Sequence, residues 1–277
     1  MRLGETTLAG VSADVLPAGI VGIDVGMTLT KRVARRDGRI EASVSLTGAA
    51  PAASGTARAS VTGARAALLG GFERRADVPE LEAAARGAQT LLAASGMDAR
   101  TAFVVALLGT GTAFALVDGR QVRHLGGTAL GGGSFAALAR RIATGRSYDD
   151  CIVAAGHGDR RRADIMVADV YPEGIGRIGP DLTAAHLAKM EGAPSEDDVL
   201  AALLNLHAEN IGQIAASRGI IAGVRRLVPV GGFVHDNTPF VEAFERMAMM
   251  FGVIVEQVPA PGFAGAIGAA ILGAEAA

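Results

Sequence analysis

Four glycine-rich turns are the parts of this sequence best suited to bind phosphate. They are Gly26-Met27-Thr28, Gly109-Thr110-Gly111-Thr112, Gly131-Gly132-Gly133-Ser134 and Gly231-Gly232. A residue without a Cβ lets the backbone approach an anion closely, so that several N–H groups can point at one phosphate. The third turn also opens a predicted helix, whose N-terminus attracts anions. Such turns also serve simply as packing turns, but four of them in one chain favour a nucleotide site.

Three charged residues stand where they could act on a bound phosphate. Asp24 ends an apolar strand beside the first turn. Its carboxylate could hold Mg²⁺ or a metal-bound water, or it could cap the turn. Lys31 could reach a phosphate or lie on a solvated strand face. Glu80 is in the first turn of a predicted helix, where the helix dipole favours a carboxylate. It is either a surface charge or, beside a γ-phosphate, a base for an attacking hydroxyl.

Two similar strand patterns position the first two turns. In each pattern an apolar strand runs into a glycine turn and a second strand follows. The tripeptide Asp-Gly-Arg, at 37–39 and at 118–120, then leads into a third strand. We interpret these as two related β-β-β units, each followed by helices, although two Asp-Gly hairpins can also be alike by accident. The alternation of strands and helices predicts an α/β protein with domains at 1–101 and 102–277.

The periodicity predicts the individual elements. Residues 1–18 form an extension that could hold one extra strand. Apolar runs bounded by turn residues predict the strands, and helical spacing with capping residues predicts the helices. The strands are expected at 20–24, 28–34, 40–46, 103–108, 113–117, 122–125, 227–230 and 253–258. The helices are expected at 79–94, 134–144, 195–217, 239–250 and 264–277. Pro229 weakens the prediction of the strand that contains it.

Composition narrows the possible functions. Half of the 277 residues are hydrophobic, which supports a folded core, and the net charge of -2 with no Trp argues against nucleic-acid binding. The single Cys151 excludes a disulfide framework or a multi-cysteine metal site within the chain and indicates a reducing compartment, so we expect a cytoplasmic protein. No secretory signal and no membrane-spanning run is visible, and we expect no membrane partner.

Several segments, in order along the chain, resemble the type II (eukaryotic-like, Fumble-type) pantothenate kinases. The segment Ile-Asp-Val-Gly-Met-Thr-Leu-Thr-Lys resembles the family's opening phosphate loop, and later segments resemble its second loop and glycine-rich helix start. The similar segments are 23–31, 109–112, 126–135, 156–159, 167–171 and 231–237. The resemblance implies a two-domain actin-like ATPase (ribonuclease H-like) fold with duplicated β-β-β-α units and a nucleotide between the domains. It also implies a homodimer, with a dimerisation helix in the second domain.

The resemblance also implies a reaction and assigns roles to residues. The reaction is phosphorylation of pantothenate by ATP with Mg²⁺, the first committed step of coenzyme A synthesis, and CoA or acyl-CoA are further possible ligands. The catalytic residue would be Glu80, and the metal would lie at Asp24. The substrate-binding residues would be Thr110, Thr112 and His124. The nucleotide-binding residues would be Asp24, Gly26, Thr28, Lys31, Gly109, Thr110, Gly111, Gly131, Gly132, Gly133, Gly231 and Gly232.

Two residues depart from the family's pattern. His124 stands where the family has an arginine of the substrate pocket, and Ala113 stands where it often has a serine. An arginine is always charged and forks onto oxyanions, whereas a neutral histidine offers one donor. The adjacent Arg123 would point to the opposite face of its strand. Two alternatives therefore stay open: a kinase for another small hydroxylated metabolite, and a non-catalytic protein that binds a nucleotide or acyl-CoA.

Overall fold

Two mixed β-sheets with helices between and outside them make up the computed structural model, which describes residues 1, 3–48, 58–70, 72, 75–176, 178–189 and 191–276. The first sheet has the order β1-β4-β3-β2-β5-β6, and the second has the order β13-β12-β7-β8-β9. The strands of the first sheet are β1 (Gly4–Thr6), β2 (Ile20–Val25), β3 (Leu29–Arg36), β4 (Arg39–Leu46), β5 (Arg58–Thr62) and β6 (Arg75–Asp77). Those of the second are β7 (Phe103–Leu108), β8 (Thr112–Asp118), β9 (Gln121–Thr128), β12 (Arg226–Val230) and β13 (Ile254–Val255).

The predicted duplication of a three-stranded unit is confirmed. Strands β2-β3-β4 and β7-β8-β9 are both antiparallel, and each unit is extended by two parallel strands on the side of its first strand. The two hairpins differ in detail. Asp37 and Gly38 both have positive φ and form the first turn, whereas Asp118 still belongs to β8 and Gly119 opens the second turn. The shared tripeptide therefore lies one residue out of register between the units.

The helices lie close to their predicted positions, with three exceptions. They are α1 (Glu80–Ala94), α2 (Gly132–Ile142), α3 (Tyr148–His157), α4 (Val167–Val170), α5 (Glu196–Ile221), α6 (Thr238–Met250) and α7 (Ala264–Glu275), and a small sheet pairs β10 (Ile165–Met166) with β11 (Thr183–Ala185). Helices α3 and α4 were not predicted, although the capping box of Ser147 and Asp150 was a usable signal for α3. The predicted end of α5 before Gly219 is wrong. Gly219 packs against the carbonyl of Val224, and Gly223, with φ +77°, follows the helix end.

The predicted strand at 253–258 is also longer than the observed one. Strand β13 pairs with β12 only through Arg226 and Leu227, so within the described residues the far part of β12 pairs with no strand on that side. Pro229 pairs with Ala106 of β7 on the other side, and its missing N–H is tolerated because β13 has already ended. The prediction of β12 is confirmed despite its proline.

Helices α1 and α7 pack against each other between the two sheets at glycine positions. A Cβ on Gly268 of α7 would lie 1.8 Å from the carbonyl oxygen of Ala83, and one on Gly87 of α1 would lie 1.9 Å from that of Ala264. On the other side of α7, a Cβ on Gly22 of β2 would lie 2.0 Å from a helix carbonyl oxygen. These glycines let three backbone segments approach within distances that any side chain would prevent.

The predicted division into domains at 101/102 falls between α1 and β7. The first sheet precedes it and the second follows it, while the C-terminal α7 packs against the first sheet. The division itself stays a prediction. Within the described ranges, the helices all lack the length or the apolar character needed to cross a membrane.

We predict that Gly268→Ala lowers stability although alanine is the better helix former. The added methyl group has no room against Ala83, and overpacking of this kind costs about 1–3 kcal/mol. A change of that size lowers the melting temperature by roughly 2–4 °C per kcal/mol in a chain of this length. The measurement is a thermal melt beside Gly70→Ala, whose added Cβ would meet nothing within 4 Å. A Gly268→Ala melt equal to or above that of the wild type would contradict the packing account.

Candidate nucleotide and catalytic site

The four glycine turns predicted from the sequence meet at one place between the sheets. The hydroxyl groups of Thr28 and Thr110 lie 3.3 Å apart and join the first turn to the second. Gly132 N–H donates to the carbonyl of Gly109 at 2.8 Å, which joins the second turn to the third. The fourth turn packs on the end of β7, the strand that leads into the second turn. A Cβ on Gly231 would lie 2.3 Å from the carbonyl oxygen of residue 108. The predicted convergence of these turns is therefore observed.

Most glycine amides in these turns already have acceptors within the protein. Their acceptors are neighbouring carbonyls or, in one case, the Ser134 hydroxyl. The occupied amides are those of Gly26, Gly109, Gly131, Gly132, Gly133 and Gly231. Among the described residues, other turn amides donate to no protein acceptor, namely those of Met27, Thr28, Thr110, Gly111, Ser134 and Gly232. The glycines thus shape the turns by close packing, and the open N–H groups belong mostly to their neighbours.

Asp24 and Lys31 form a buried ion pair at the centre of this region. They face each other across β2 and β3, and Nζ of Lys31 lies 2.9 Å from Oδ2 of Asp24. The two residues are 9% and 8% exposed, so a solvated strand lysine is not what the structure contains. The Lys31 side chain also lies against Gly26 of the first turn and Gly232 of the fourth. One ammonium group therefore lies between two of the four turns.

Two glycines that the sequence analysis did not select surround the Asp24 carboxylate. A Cβ on Gly63 would lie 2.7 Å from Oδ1 of Asp24, and one on Gly265, near the start of α7, would lie 3.1 Å from Oδ2. Gly63 has φ +99° and directly follows β5, in the same way that Gly26 follows β2. A search for glycines after apolar runs would not have found Gly63, because the strand before it, Arg-Ala-Ser-Val-Thr, is not a continuous apolar run. Nothing local in the sequence marks Gly265, because the fold alone brings α7 to this point.

Glu80 begins α1 with its carboxyl close to the ion pair. Pro79 precedes it as the helix cap, and the residue as a whole is solvent-exposed. The surrounding protein still partly desolvates the carboxyl, which raises its pKa above 4.5. The negative charge of Asp24 raises this pKa further, and the positive charge of Lys31 partly offsets both effects. Glu80 is therefore a stronger base than a free glutamate and is electrostatically coupled to both groups.

The predicted substrate-binding residues occupy different environments. Thr112 is buried, and its hydroxyl donates to the carbonyl of Leu130 at 2.9 Å, which ties β8 to the approach of α2. His124 is exposed on β9 and pairs with Ala115, a buried residue on the sheet face that α1 covers. Arg123 pairs with Leu116, which packs against the core of the other face, as expected for neighbours on a strand. The role of these residues in substrate binding stays a prediction.

Three consecutive arginines, residues 160–162, differ in their exposure to solvent. Arg160 donates to the hydroxyl of Thr183 at 2.6 Å and lies 3.5 Å from the fully buried Asp164 and 3.8 Å from Glu209. Arg161 and Arg162 are exposed, with side chains 72% and 66% accessible. Arg160 therefore has a structural role between β11 and α5, because removing one partner of a buried ion pair is strongly destabilising.

Comparison with known proteins places these features in a family. The Fumble family model matches residues 92–271, a range that includes the second, third and fourth turns. The type II pantothenate kinase of Oceanobacillus iheyensis is 30% identical over 196 residues, which cover 69% of this chain and 72% of that protein. The type II pantothenate kinase of Staphylococcus aureus strain MRSA252 is 29% identical over 198 residues, covering 70% of this chain and 74% of the relative.

Solved structures confirm the fold expected from the sequence. The activator of the 2-hydroxyisocaproyl-CoA dehydratase from Clostridium difficile, with bound ADPNP, matches with a TM-score of 0.62 and 17% identity over 93% of this chain and 94% of that one. A ROK family glucokinase from Streptomyces griseus, with glucose and AMPPNP, matches with a TM-score of 0.56 and 14% identity over 92% and 99%. An archaeal actin homologue matches with a TM-score of 0.54 and 16% identity over 93% and 99%. The fold is thus that of the actin-like ATPases and sugar kinases, and the chain belongs to the Fumble family of type II pantothenate kinases.

Proposed function

We propose that this protein transfers the γ-phosphoryl group of ATP to the hydroxyl group of pantothenate. The observation that carries the proposal is the convergence of four glycine turns around the buried Asp24–Lys31 pair, with the Glu80 carboxyl close by. The family relatives act on this substrate by name, and two neighbours of the same fold hold ATP analogues. The nucleotide would lie between the proposed domains 1–101 and 102–277.

The phosphates would be held mainly by backbone amides that have no acceptor in the protein. Those of Thr28, Thr110, Gly111, Ser134 and Gly232 belong to turns that pack directly on one another. The positive charge of Lys31, which is buried next to the turns, adds an electrostatic contribution that is stronger than the same charge would give in open water. Donors fixed in this way neutralise the charge that develops during phosphoryl transfer without further reorganisation.

In the proposed reaction the pantothenate hydroxyl oxygen forms a bond to the γ-phosphorus, and the bond from that phosphorus to the β–γ bridging oxygen breaks to release ADP. Glu80 accepts the proton of the attacking hydroxyl. Its raised pKa helps, since a general base works best when its pKa approaches the working pH. A weak base is sufficient because phosphoryl transfer depends chiefly on alignment and charge neutralisation.

The residues present fit a magnesium ion at Asp24. Its Oδ2 binds Lys31, and the neighbouring Gly63 and Gly265 have no side chain that would cover the carboxylate. Mg²⁺ prefers hard oxygen ligands and is usually held by one or two carboxylates together with substrate phosphates and water. When bound, the ion would neutralise charge on the phosphate oxygens. Asp24 is the residue we propose to hold it, directly or through water.

Three further predictions concern partners and location. A homodimer needs an apolar contact face, and the exposed side chains of Ile220 and Met249, which lie beside one cavity near the end of α6, support one there. Sedimentation velocity measures the oligomeric state directly.

The proposed binding of CoA or acyl-CoA rests on the shared family and is tested by competition with ATP. A cytoplasmic location rests on the single cysteine, Cys151, which is buried and unpaired.

We predict that Glu80→Gln lowers kcat by roughly 100-fold or more, the usual contribution of a positioned general base. The KM for MgATP should stay within about threefold, because the amide keeps the size of the side chain and the nucleotide contacts are elsewhere. Steady-state release of ADP with pantothenate measures both constants. Glu82→Gln is the matched control, since Glu82 is an exposed acid of the same helix turn and should keep wild-type kinetics. Equal rates for Glu80→Gln and wild type would remove Glu80 from the chemistry.

We predict that the acid limb of kcat/KM lies above pH 4.5 and moves to higher pH in Lys31→Met. Glu80 works as a base only when ionised, and its pKa in the protein is raised from 4.5. The positive charge of Lys31 lowers this pKa, so its removal raises the pKa and the base is protonated over a wider acid range. The control is Arg36→Met, which removes an exposed charge of the same strand. A limb that moves to lower pH in Lys31→Met would contradict the assignment.

We predict turnover with pantothenate in a panel that also contains pantoate, pantetheine and simple sugars. His124→Arg should lower the KM for pantothenate and leave the KM for MgATP unchanged, because arginine adds a fixed charge and a second donor for a carboxylate. ADP release is the readout. Turnover confined to another acceptor would favour the alternative kinase, and nucleotide binding without any turnover would favour the binding protein.

A further inference from the structure

A buried histidine of α5 is hydrogen-bonded to the third glycine turn. His207 is fully buried, and its Nε2 lies 2.9 Å from Oγ of Ser134. Its Nδ1 lies 2.8 Å from the carbonyl oxygen of Leu203, one turn earlier in the same helix. Our sequence analysis assigned no role to His207, and the proposed reaction does not use it. The bond to Ser134 connects the long helix α5 to the first turn of α2, and the bond to Leu203 fixes the ring on its own helix.

The hydrogen-bond chemistry fixes the direction of this contact. A backbone carbonyl only accepts, so Nδ1 carries the ring proton, and in the neutral ring Nε2 must accept. Burial lowers the pKa of the His207 imidazole, which favours this neutral form. Ser134 therefore donates its hydroxyl proton to His207. A lone pair of the same oxygen then faces Gly131, whose N–H lies 3.1 Å away and donates to it.

Without His207 the Ser134 hydroxyl would have a competing acceptor. The carbonyl oxygen of Gly131 also lies 3.1 Å from Oγ of Ser134. The hydroxyl has only one proton. If it donates that proton to the Gly131 carbonyl, its lone pairs point in other directions than they do while it donates to His207. His207 thus selects the hydroxyl orientation that closes the helix-capping contact. This contact shapes the backbone just before the open N–H group of Ser134.

The aromatic rings around His207 extend the connection to the fourth turn. The imidazole is edge-on to Phe135 at 5.9 Å and to Phe233 at 6.1 Å between ring centres. Phe135 directly follows the third turn, and Phe233 directly follows Gly232 of the fourth. Phe233 N–H donates to the carbonyl of Leu108 at the end of β7. One buried ring is therefore packed behind two of the turns that we assign to phosphate.

We propose that His207 is a positioning residue for the nucleotide, acting through Ser134 to hold the third turn in its phosphate-binding form. The inference rests on the proposed function, because it assigns the open amides of this turn to ATP phosphates. His207 touches no reacting atom. It acts on nucleotide affinity and leaves the chemical step and the acceptor unaffected.

The test compares His207→Leu, which keeps an apolar side chain but no acceptor, with His207→Gln, whose amide oxygen can replace Nε2. Calorimetry gives the Kd of MgADP, and ADP release gives the KM of MgATP, the KM of pantothenate and kcat. We expect His207→Leu to raise the Kd and the KM of the nucleotides about tenfold, the usual effect of losing one hydrogen bond to a buried group. The KM of pantothenate and kcat should change less than about threefold, and His207→Gln should restore most of the affinity.

Ser134→Ala is the second variant and keeps the test decisive if a His207 variant fails to fold. It should weaken MgADP binding at least as much as His207→Leu does, because it removes both the bond to His207 and the one accepted from Gly131 N–H. The double variant should bind no more weakly than Ser134→Ala alone, since that variant already lacks the bond to His207. Unchanged MgADP affinity in a folded His207→Leu or Ser134→Ala variant would overturn the proposal. So would an equal loss of affinity in His207→Leu and His207→Gln. Failure of the wild type to bind MgADP would instead refute the proposed function, and with it this inference.

Discussion

Backbone segments approach one another at positions that lack a side chain, and both the two-sheet architecture and the site depend on this contact. Gly87 and Gly268 bring α1 against α7 between the sheets, and Gly22 brings β2 against the other side of α7. The same pair of helices then places the start of α1, with Glu80, and the start of α7, with Gly265, beside the Asp24 carboxylate. The packing that joins the sheets therefore also positions the acidic groups.

The charged groups of the site, Asp24, Lys31 and Glu80, lie next to this packing. The buried Asp24–Lys31 pair satisfies two ions that would otherwise be costly in the interior. Its lysine lies between the first and fourth turns, and its carboxylate lies close enough to Glu80 to raise the pKa of that group. A site of this kind can hold a polyanion on one side and a proton acceptor on the other. Membership of the type II pantothenate kinase family agrees with that arrangement.

The sequence predicts the strand order within each unit, most helices and the turns that meet, because periodicity, caps and glycine spacing are local signals. It did not predict the Asp24–Lys31 pair, since cross-strand pairing depends on register. The occupied amides of Gly132 and Gly133 were also missed, because glycine marks close packing as well as ligand contact. His207 could not be linked to the site, since only the tertiary fold brings α5 to α2.

The central claim is that amides open in the protein, rather than the glycine amides already bonded, hold the triphosphate. Hydrogen exchange of single backbone amides, followed by NMR with and without a non-hydrolysable MgATP analogue, tests this most directly. The account predicts added protection at Thr28, Thr110, Gly111 and Gly232, with little change at the already bonded Gly132. Saturating analogue that protects none of these four amides, or that protects only residues outside the turns, would contradict it.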